Sequence, residues 1–528
     1  MKKILSAAAM LALLQLADGC KINEEFQGGL TPDQITAGNA SSLLDGAYTA
    51  MRSPFQGAGQ VFAMTEVTTD ERIMPTRAGD WDDNGKWRQL HLHTWDANHP
   101  EVRDAFANLG GVIFAASDVL RPEFGASTQQ QAEARFIRAF AIYWTFDLFD
   151  QVPYREPGET VVNASRVRKG MEALDYVISE VTAVLGTLPD APVYRANKDA
   201  ARCLLMKCYL NRHVYANRSS PGQPSAADMN QVITLADQII NSGRYKFATN
   251  YFDNFAPANS TIGTENIFTE LNIGGVSSGA QYDLWRFISH YNMTPTGYNG
   301  PCALPTFYDT FGANDIRRGT VYQYANGPSN PFKHQNVGFL IGQQYFLNGT
   351  TKRGGLDSAL VDRTGAPLAF TREVKIIETG ANLEVTGIRP MKYPPDFTNN
   401  SAGTIDNDMV HFRLPDVLLM KAEAILRGGT ATTAGTYGST PTALVNSIRT
   451  DASRNAGALA TVDLNTLYAE RGRELYLEEW RRQDMVRFGK FLGPIEQGPT
   501  SSDPKYLIFP IPNQQLAVNP NLTQNPGY

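Results

Sequence analysis

Apolar residues recur at helical spacing in a series of segments between residues 40 and 242, and this periodicity constrains the fold more than any other feature. In the segment 132–150, for example, Phe136, Phe140 and Tyr143 fall on one face. The pattern predicts helices at 40–51, 102–120, 132–150, 171–185, 200–215 and 229–242. Short helices in succession are typical of helical-hairpin repeats of the tetratricopeptide (TPR) type, although no strict repeat consensus is present. We therefore predict a mainly α fold built on a TPR-like scaffold.

The stretch from about 248 to 407 has a different character, because Gly, Asn, Pro, Thr and aromatic residues dominate it. Turn residues interrupt it too often for long helices, as in the run from Thr294 to Pro301. The sequence predicts long loops there, with short strands and a few short helices. Loops carried by a rigid scaffold are where binding sites usually lie.

Helical periodicity returns near the C-terminus, at 414–426, 441–454 and 464–491. The last of these segments is dense in charge, and Glu478 and Arg482 are at the spacing of a helical ion pair. We interpret the charged run as a salt-bridged helix face. A surface for a ligand or partner is the alternative.

The N-terminus has the pattern of an export signal. Lys2 and Lys3 precede an apolar run at 4–16, which is shorter than the roughly 20 residues that span a bilayer. The run leads to Gly19 and Cys20, which resemble a bacterial lipoprotein cleavage box, although Asp18 is unusual there. We predict a lipoprotein signal peptide at 1–19 and lipidation of Cys20. The alternative is an ordinary secretory signal cut near Gly19.

Composition agrees with an exported globular protein. Hydrophobic residues make up 42% and charged residues 19%, which excludes wholesale disorder. A net charge of −6 gives no indication of nucleic-acid binding. Beyond Cys20 only Cys203, Cys208 and Cys302 remain, and this odd number without close spacing is not a disulfide framework. We predict buried free thiols, with a single bridge through Cys302 as the alternative.

Four motifs follow one another along the chain. They are Arg-Phe-Ile-Arg-Ala-Phe at 135–140 with Val152-Pro153, Arg-Leu-Pro-Asp-Val-Leu-Leu-Met-Lys-Ala-Glu-Ala at 413–424, Glu-Arg-Gly-Arg-Glu-Leu at 470–475 with Glu-Trp-Arg-Arg-Gln-Asp-Met-Val-Arg at 479–487, and Phe-Pro-Ile-Pro at 509–512 with Gln-Asn-Pro-Gly-Tyr at 524–528. In this order they resemble the SusD/RagB family. The chain departs from the family pattern at Trp480, where a glycine is common, and at 149–151, where the usual glycine is missing.

This resemblance implies a single SusD-like domain at 20–528. Its parts would be N-terminal helical repeats at about 36–247, a loop-rich glycan-binding insert at about 248–407, and C-terminal helices and tail at about 408–528. It further implies a non-enzymatic outer-membrane lipoprotein that faces the cell exterior and touches the membrane only through its lipid. Such a protein captures glycans for a SusC-like TonB-dependent barrel transporter, and it needs no cofactor and binds no nucleic acid.

Sugars present apolar C–H faces ringed by hydroxyls, so a receptor needs aromatic platforms beside polar groups. Two stretches have this character, and the resemblance places sugar-binding aromatics in broadly these regions. The ligand-binding residues we predict are Asp80, Trp81, Asp82 and Trp87 in the first stretch, and Tyr282, Trp285, Tyr291 and Tyr298 in the second. The alternative is that these rings belong to the core, and it applies most strongly to Trp87.

Other chemistry has weaker support. His91 and His93 alternate as metal ligands on a strand would, but no third ligand follows, and we predict no metal. The run 80–85 lacks the glutamate that closes an EF-hand calcium loop. Two further functions stay open beside glycan capture. One is a helical scaffold that binds a partner or peptide cargo, and the other is a carbohydrate-active enzyme with two carboxylates roughly 5–10 Å apart.

Overall fold

The computed structural model describes residues 39–160, 162–324, 334–346, 358–399 and 404–528. The predicted signal peptide and the predicted lipidation of Cys20 lie outside these residues. Within these ranges, no helix has both the length and the apolar character that a membrane crossing requires.

The N-terminal half is built on an array of helices that pack against one another. Its helices are α1 Ala40–Phe55, α2 Gln60–Glu66, α3 Lys86–His91, α4 Pro100–Val119, α5 Thr128–Phe149, α6 Gly170–Val184, α7 Lys198–Ala216 and α8 Ala226–Asn241. Helix α4 packs against α1 and α5, and the order then continues from α5 to α8. This arrangement confirms the predicted mainly helical, repeat-like scaffold.

Helix α5 is the centre of this array. It begins with a capping box, in which Ser127 accepts from the Gln130 backbone and Gln130 accepts from the Ser127 backbone. Every residue from Phe136 to Phe149 is buried, which is typical of a helix surrounded by others on all sides. It ends at Asp150, whose φ of 61° starts the next strand in a new direction.

The middle of the chain consists of loops, short helices and small sheets, as predicted. Its helices are α9 Asn259–Ile262, α10 Asp283–Arg286 and α11 Pro305–Tyr308. The strands in the described ranges are β1 Arg72–Ile73, β2 Thr76–Arg77, β3 Gln151–Tyr154, β4 Arg166–Lys169, β5 Asn266–Glu270, β6 Cys302–Ala303, β7 Gly319–Gln323, β8 His334–Leu340, β9 Gly342–Gln343, β10 Tyr345–Phe346, β11 Ser358–Ala359, β12 Ala369–Phe370, β13 Ile377–Glu378, β14 Arg389–Met391 and β15 Met409–Arg413.

Strand pairing ties this loop-rich region to the helical array. Strands β14, β8 and β7 form a three-stranded antiparallel sheet. Strand β1 pairs with β6 in antiparallel fashion, and β2 pairs with β13 in parallel. Because β1 and β2 precede α3, these pairs hold the segment around residue 80 against the loop-rich region.

The C-terminal helices extend the array from its far end. They are α12 Leu414–Leu426, α13 Pro441–Arg449, α14 Leu464–Leu475, α15 Arg481–Arg487 and α16 Asn513–Val518. Helix α12 packs against α8, α13 and α14, so chain segments on both sides of the loop-rich region share one hydrophobic core. Cys203, Cys208 and Cys302 are buried and unbridged, as predicted.

The prediction of one helix over 464–491 is wrong. The chain turns between α14 and α15, where Leu477 and Glu479 have φ of 56° and 68°. Glu478 consequently pairs with Lys392 and Arg413 instead of Arg482. The charged run is therefore buried rather than a solvent-facing salt-bridged helix surface.

These buried charges form an ionic network that joins α14 to β15, α13 and the loop-rich region. Arg413 donates to Glu478 Oε2 at 2.8 Å, and Arg454 donates to Glu474 Oε1 at 2.7 Å. Arg317 donates to Glu474 Oε2 at 2.8 Å. Burial alone would raise the pKa of Glu474, but the charges of these arginines hold it well below its usual range.

A second buried network links α7, α12, α14 and α15. Asp416 meets Lys207 Nζ at 2.8 Å and Arg471 at 3.0 Å. Arg487 donates to both oxygens of Glu423, at 2.7 and 2.9 Å. Burial alone would raise the pKa of Glu423, but the positive charge of Arg487 outweighs this effect and lowers the pKa of Glu423 to about 2. The residues of these networks come largely from the motifs at 413–424 and 470–487, so those motifs are structural.

Removing the charge of Glu474 tests the first network. The change Glu474→Gln keeps the side-chain shape but leaves buried arginines without their shared anion. We expect the free energy of unfolding to fall by about 3–5 kcal/mol, measured by denaturant titration. The control is Glu172→Gln, because the Glu172 side chain is 67% exposed and lies 3.9 Å from Arg168. We expect that control to change stability by less than about 0.5 kcal/mol, and equal effects of the two changes would contradict the role of the network.

The pH dependence of stability follows from two opposite sets of carboxyls. Burial raises the pKa of Glu66 and of Asp408 to about 7. The contribution of these two groups to the stability of the fold is therefore complete below the unfolded pKa of about 4, and it is lost as pH rises from there through 7. Glu423 contributes stability above about pH 4, and this is lost as pH falls through 2. We therefore expect maximal thermal stability at acidic pH, at about 4.

The control for this pH dependence is Glu66→Gln, which keeps an oxygen to accept the Glu479 backbone N–H that Glu66 Oε1 now accepts at 2.8 Å. This variant should show a shallower loss of melting temperature between about pH 4 and 7 than the parent chain. A parent melting temperature that rises over this range would contradict the expectation.

Candidate functional site

A tight loop between β2 and α3 presents Trp81. Arg77 and Asp80 exchange two backbone hydrogen bonds of 2.9 Å, which turns the chain sharply after β2. Trp81 then has a φ of 63°, a left-handed conformation that a bulky side chain rarely adopts. Such strain persists only where the surroundings enforce it, and it clusters at functional sites.

Residues 287–300 form the other wall of the same surface. The Trp81 indole Nε1 donates to the Tyr298 carbonyl at 2.9 Å, and the Trp81 ring meets the Phe287 ring edge-on at 5.0 Å. Tyr298 packs on Phe287 at 5.7 Å, and its side chain stays 44% exposed. A Cβ added to Gly300 would lie 2.3 Å from the Trp81 ring, so only glycine allows this close approach.

Two buried arginines fix this wall from behind. Arg77 Nη1 donates to the carbonyls of Asn299 and Gly300, both at 2.7 Å. Arg389 Nη2 donates to Asn299 Oδ1 at 2.8 Å. Both guanidinium groups also donate to Cys302 Sγ, at 3.0 and 2.8 Å. The loop that carries Tyr298 is therefore held by charged donors rather than by regular secondary structure.

The two walls enclose an open cleft of about 530 Å³, which we call the aromatic cleft. This volume is within the range of ligand pockets. Its lining consists of the rings of Trp81, Trp87, Phe287, Tyr291 and Tyr298, the polar side chains of Asp80, Asp83, Lys86 and Asp283, and Gly59.

The polar groups of the cleft are oriented by the rings and by one another. The Trp87 Nε1 donates to Asp83 Oδ2 at 2.6 Å, and the Tyr291 hydroxyl donates to Asp80 Oδ2 at 3.3 Å. Lys86 Nζ lies 4.1 Å from the centre of the Trp87 ring. Burial raises the pKa of Asp283 to about 6. The cleft thus combines ring faces with carboxylate acceptors.

A second depression of about 510 Å³ adjoins the aromatic cleft and shares Asp83 and Lys86 with it. Its further lining residues are Asn84, Gln89, Asp96, Asn98, His99 and Pro100. Carboxamides dominate this extension, and they both donate and accept hydrogen bonds. The two depressions form one elongated surface whose first part is aromatic and whose second part is polar.

The structure brings most of the predicted binding residues together. Asp80, Trp81, Trp87, Tyr291 and Tyr298 all line the aromatic cleft, although Trp87 is only 4% exposed and contributes to its wall. They come from segments that lie about 200 residues apart, as Trp81 and Tyr298 do.

The other predicted residues lie away from the cleft lining. Asp82 pairs with Arg88 at 2.6 Å, and Tyr282 packs beside a small hydrophobic cluster. Trp285 is a member of that cluster, with Ile288 and Met293, and is 1% exposed. The expectation of an exposed ring at Trp285 is thus corrected, because the packing of the loop-rich region encloses it.

Sequence reasoning missed Asp83, Lys86, Asp283 and Phe287 as lining residues. Asp283 and Phe287 are four residues apart, and the Phe287 N–H donates to the Asp283 carbonyl at 3.0 Å. This i, i+4 spacing on a short helical turn places both side chains on one face, and it is the signal that could have found them.

The histidines singled out in the sequence do not converge on a common point. His91 Nε2 lies 2.9 Å from the Glu496 carbonyl, and His93 Nε2 lies 2.9 Å from the Thr68 carbonyl. Burial lowers the pKa of both, that of His93 to about 4. In the described ranges, no group of three or more His, Cys, Asp or Glu residues is arranged to hold a metal ion.

Comparison with known proteins agrees with this architecture. The model of the SusD family matches residues 264–501. The starch-binding protein SusD of Bacteroides thetaiotaomicron is 27% identical over 499 residues, which cover 88% of this chain and 85% of that protein.

Solved structures share the fold. A laminarin-binding SusD-like protein superposes with a TM-score of 0.64 at 20% identity, over 93% of this chain and 99% of its own. Surface glycan-binding protein A from Bacteroides thetaiotaomicron, in complex with laminarihexaose, superposes with a TM-score of 0.63 at 17% identity, over 92% and 99%. The matching family model, the relative that extends over most of the chain and the shared helical architecture lead to one conclusion: this chain resembles the SusD family in both sequence and fold.

Proposed function

We propose that this chain is a glycan-binding protein that captures oligosaccharide or polysaccharide in the aromatic cleft. The observation that carries the proposal is Trp81, a half-buried indole in a strained backbone conformation at the mouth of a cleft lined by rings and carboxylates.

The chemistry of the cleft suits a sugar. The apolar C–H face of a pyranose packs on the ring of Trp81 or Tyr298, and its hydroxyls donate to Asp80 and Asp83. The rings are held in place before a ligand arrives, by the Trp81–Tyr298 hydrogen bond and the arginines behind Asn299. Preorganisation of this kind lowers the entropy cost of binding.

The named relatives indicate the class of ligand. One is called starch-binding, one laminarin-binding, and one was solved with laminarihexaose. We propose that this chain likewise binds a polysaccharide or its fragments. Like the SusD family that it resembles, it would work at the outer membrane, anchored through Cys20 and facing outward, and would deliver the glycan to a SusC-like TonB-dependent transporter.

We propose binding without turnover. The carboxylates of the cleft have orienting partners: Asp83 accepts from Trp87, Asp80 from Tyr291, and Asp283 is hydrogen-bonded by the Ala58 backbone. The test is to incubate the purified protein with each polysaccharide that it binds and to measure release of reducing ends. Release above that of a Trp81→Ala variant would support the enzyme alternative.

The change Trp81→Ala tests the site. Loss of the stacking ring should weaken binding by about 2 kcal/mol, or roughly thirtyfold, measured by affinity electrophoresis and calorimetry against a panel that includes laminarin and starch. The matched control is Phe114→Ala, because Phe114 is 54% exposed on α4 and lies outside the cleft. Binding that survives Trp81→Ala would refute this site, and absence of binding to the whole panel would favour a peptide or partner role.

The change Gly300→Ala tests the geometry without touching a contact residue. The new methyl group would displace the Trp81 ring, so we expect at least about tenfold weaker binding together with a modest loss of stability. The control is Gly110→Ala, since nothing lies within 4 Å of a Cβ there and Gly110 is inside α4. That change should stabilise the fold by up to about 1 kcal/mol and leave binding unchanged. Equal affinity of the Gly300 variant and the parent would show that the ring position does not matter.

A further inference from the structure

We infer that the aromatic cleft and its extension select neutral glycans and reject chains that carry uronate or sulfate groups. The inference rests on the proposed glycan-binding function and names the ligand class of that same site.

The surface that would face a sugar chain is lined with anionic groups. Asp80 and Asp83 are exposed at the aromatic cleft, and Asp283 lies deeper in it. Asp96 adds a carboxylate in the extension. These groups belong to both depressions, so a chain that lies along the surface meets carboxylates throughout.

The positive charge of Lys86, which lines both depressions, is already compensated by a carboxylate. Lys86 Nζ lies 2.8 Å from Glu101 Oε1, and the ammonium group also faces the Trp87 ring. Glu101 is itself fixed, because its Oε2 accepts the backbone N–H of Gln60 at 2.6 Å. Burial lowers the pKa of His99, so this histidine adds no positive charge at neutral pH. Lys86 therefore offers little attraction to an anionic sugar.

The positive charges of arginines near the rim are also close to carboxylates. Arg88 pairs with Asp82 at 2.6 Å, and Arg363 pairs with Glu384 while it covers the Tyr291 ring. Arg286 lies over the Tyr298 ring at 4.7 Å, and its charge acts on the neighbouring Asp283. Arg88 and Arg363 thus have carboxylate partners outside the lining of the aromatic cleft, whereas Arg286 lies near Asp283, which lines it.

A neutral glycan suits this surface because each hydroxyl can donate to a carboxylate, which makes a charge-assisted hydrogen bond. A uronate or sulfate oxygen has no proton to donate, and it brings a like charge close to Asp80 and Asp83. Salt weakens this repulsion, since the screening length is about 10 Å at 0.1 M ionic strength. The discrimination should consequently be strongest at low salt.

The experiment compares a charged and an uncharged derivative of the same polymer. Soluble starch and laminarin are each prepared in native form, with hydroxyethyl groups, and with carboxymethyl groups at the same degree of substitution. The hydroxyethyl form matches the bulk of the substituent without its charge. We expect the carboxymethyl form to bind at least about tenfold more weakly than the hydroxyethyl form at low salt, and the difference to shrink as salt is added.

A variant that combines Asp80→Asn and Asp83→Asn removes the charge and keeps amide oxygens as acceptors. It should reduce the difference between the two derivatives. Carboxymethyl polymer that binds the parent chain as well as the hydroxyethyl form would overturn the inference, while glycan binding itself would stand. Binding of the parent chain to alginate or polygalacturonate alone, out of a wider panel, would likewise overturn the inference and leave glycan binding standing. Absence of binding to every neutral and anionic polymer would overturn the proposed function, and the inference with it.

Discussion

The buried ionic network around Glu474 is the constraint on which the rest of the structure depends. Glu474 lies on α14, and its partners Arg413, Arg454 and Arg317 come from β15, the segment after α13 and the loop-rich region. None of these side chains is measurably exposed. A buried charge without its partner is strongly unfavourable, so these segments can pack only when all of them are in place. The network therefore specifies where an irregular region sits on a helical array.

The aromatic cleft is held in place by arginines on paired strands of the loop-rich region and of the segment before α3. Arg389 belongs to β14, which pairs with β8 in the three-stranded sheet, and Arg77 belongs to β2, which pairs with β13. Together these arginines fix the backbone at Asn299 and Gly300. A left-handed tryptophan costs about 1–3 kcal/mol, and such a cost is sustained only by surroundings that are themselves well fixed.

The helices were predictable because amphipathic periodicity is a local property of the sequence. The break between α14 and α15 was not predictable, because the apolar spacing continues through 476–480. The left-handed residues Leu477 and Glu479 flank Glu478, whose ion pairs are with the distant residues Lys392 and Arg413. The site was predictable only in part, because local sequence indicates some of its residues and long-range packing decides the others. Composition pointed to Trp81 and Tyr298, whereas the burial of Trp285 depends on contacts with Leu368, Phe370 and Met391, which no local pattern encodes.

Stability and recognition are separated in this molecule. The residues of the ionic networks lie on helices, on β15 and in buried parts of the segment after α13 and of the loop-rich region, and they do not line the cleft. The cleft residues lie on loops or on short helices, and several are exposed, so they can be exchanged without an unpaired charge appearing in the core. The family motifs at 413–424 and 470–487 coincide with the networks and not with the cleft. The resemblance to the SusD family therefore follows from the scaffold, while in our proposal the choice of glycan would depend on the few rings and carboxylates around Trp81.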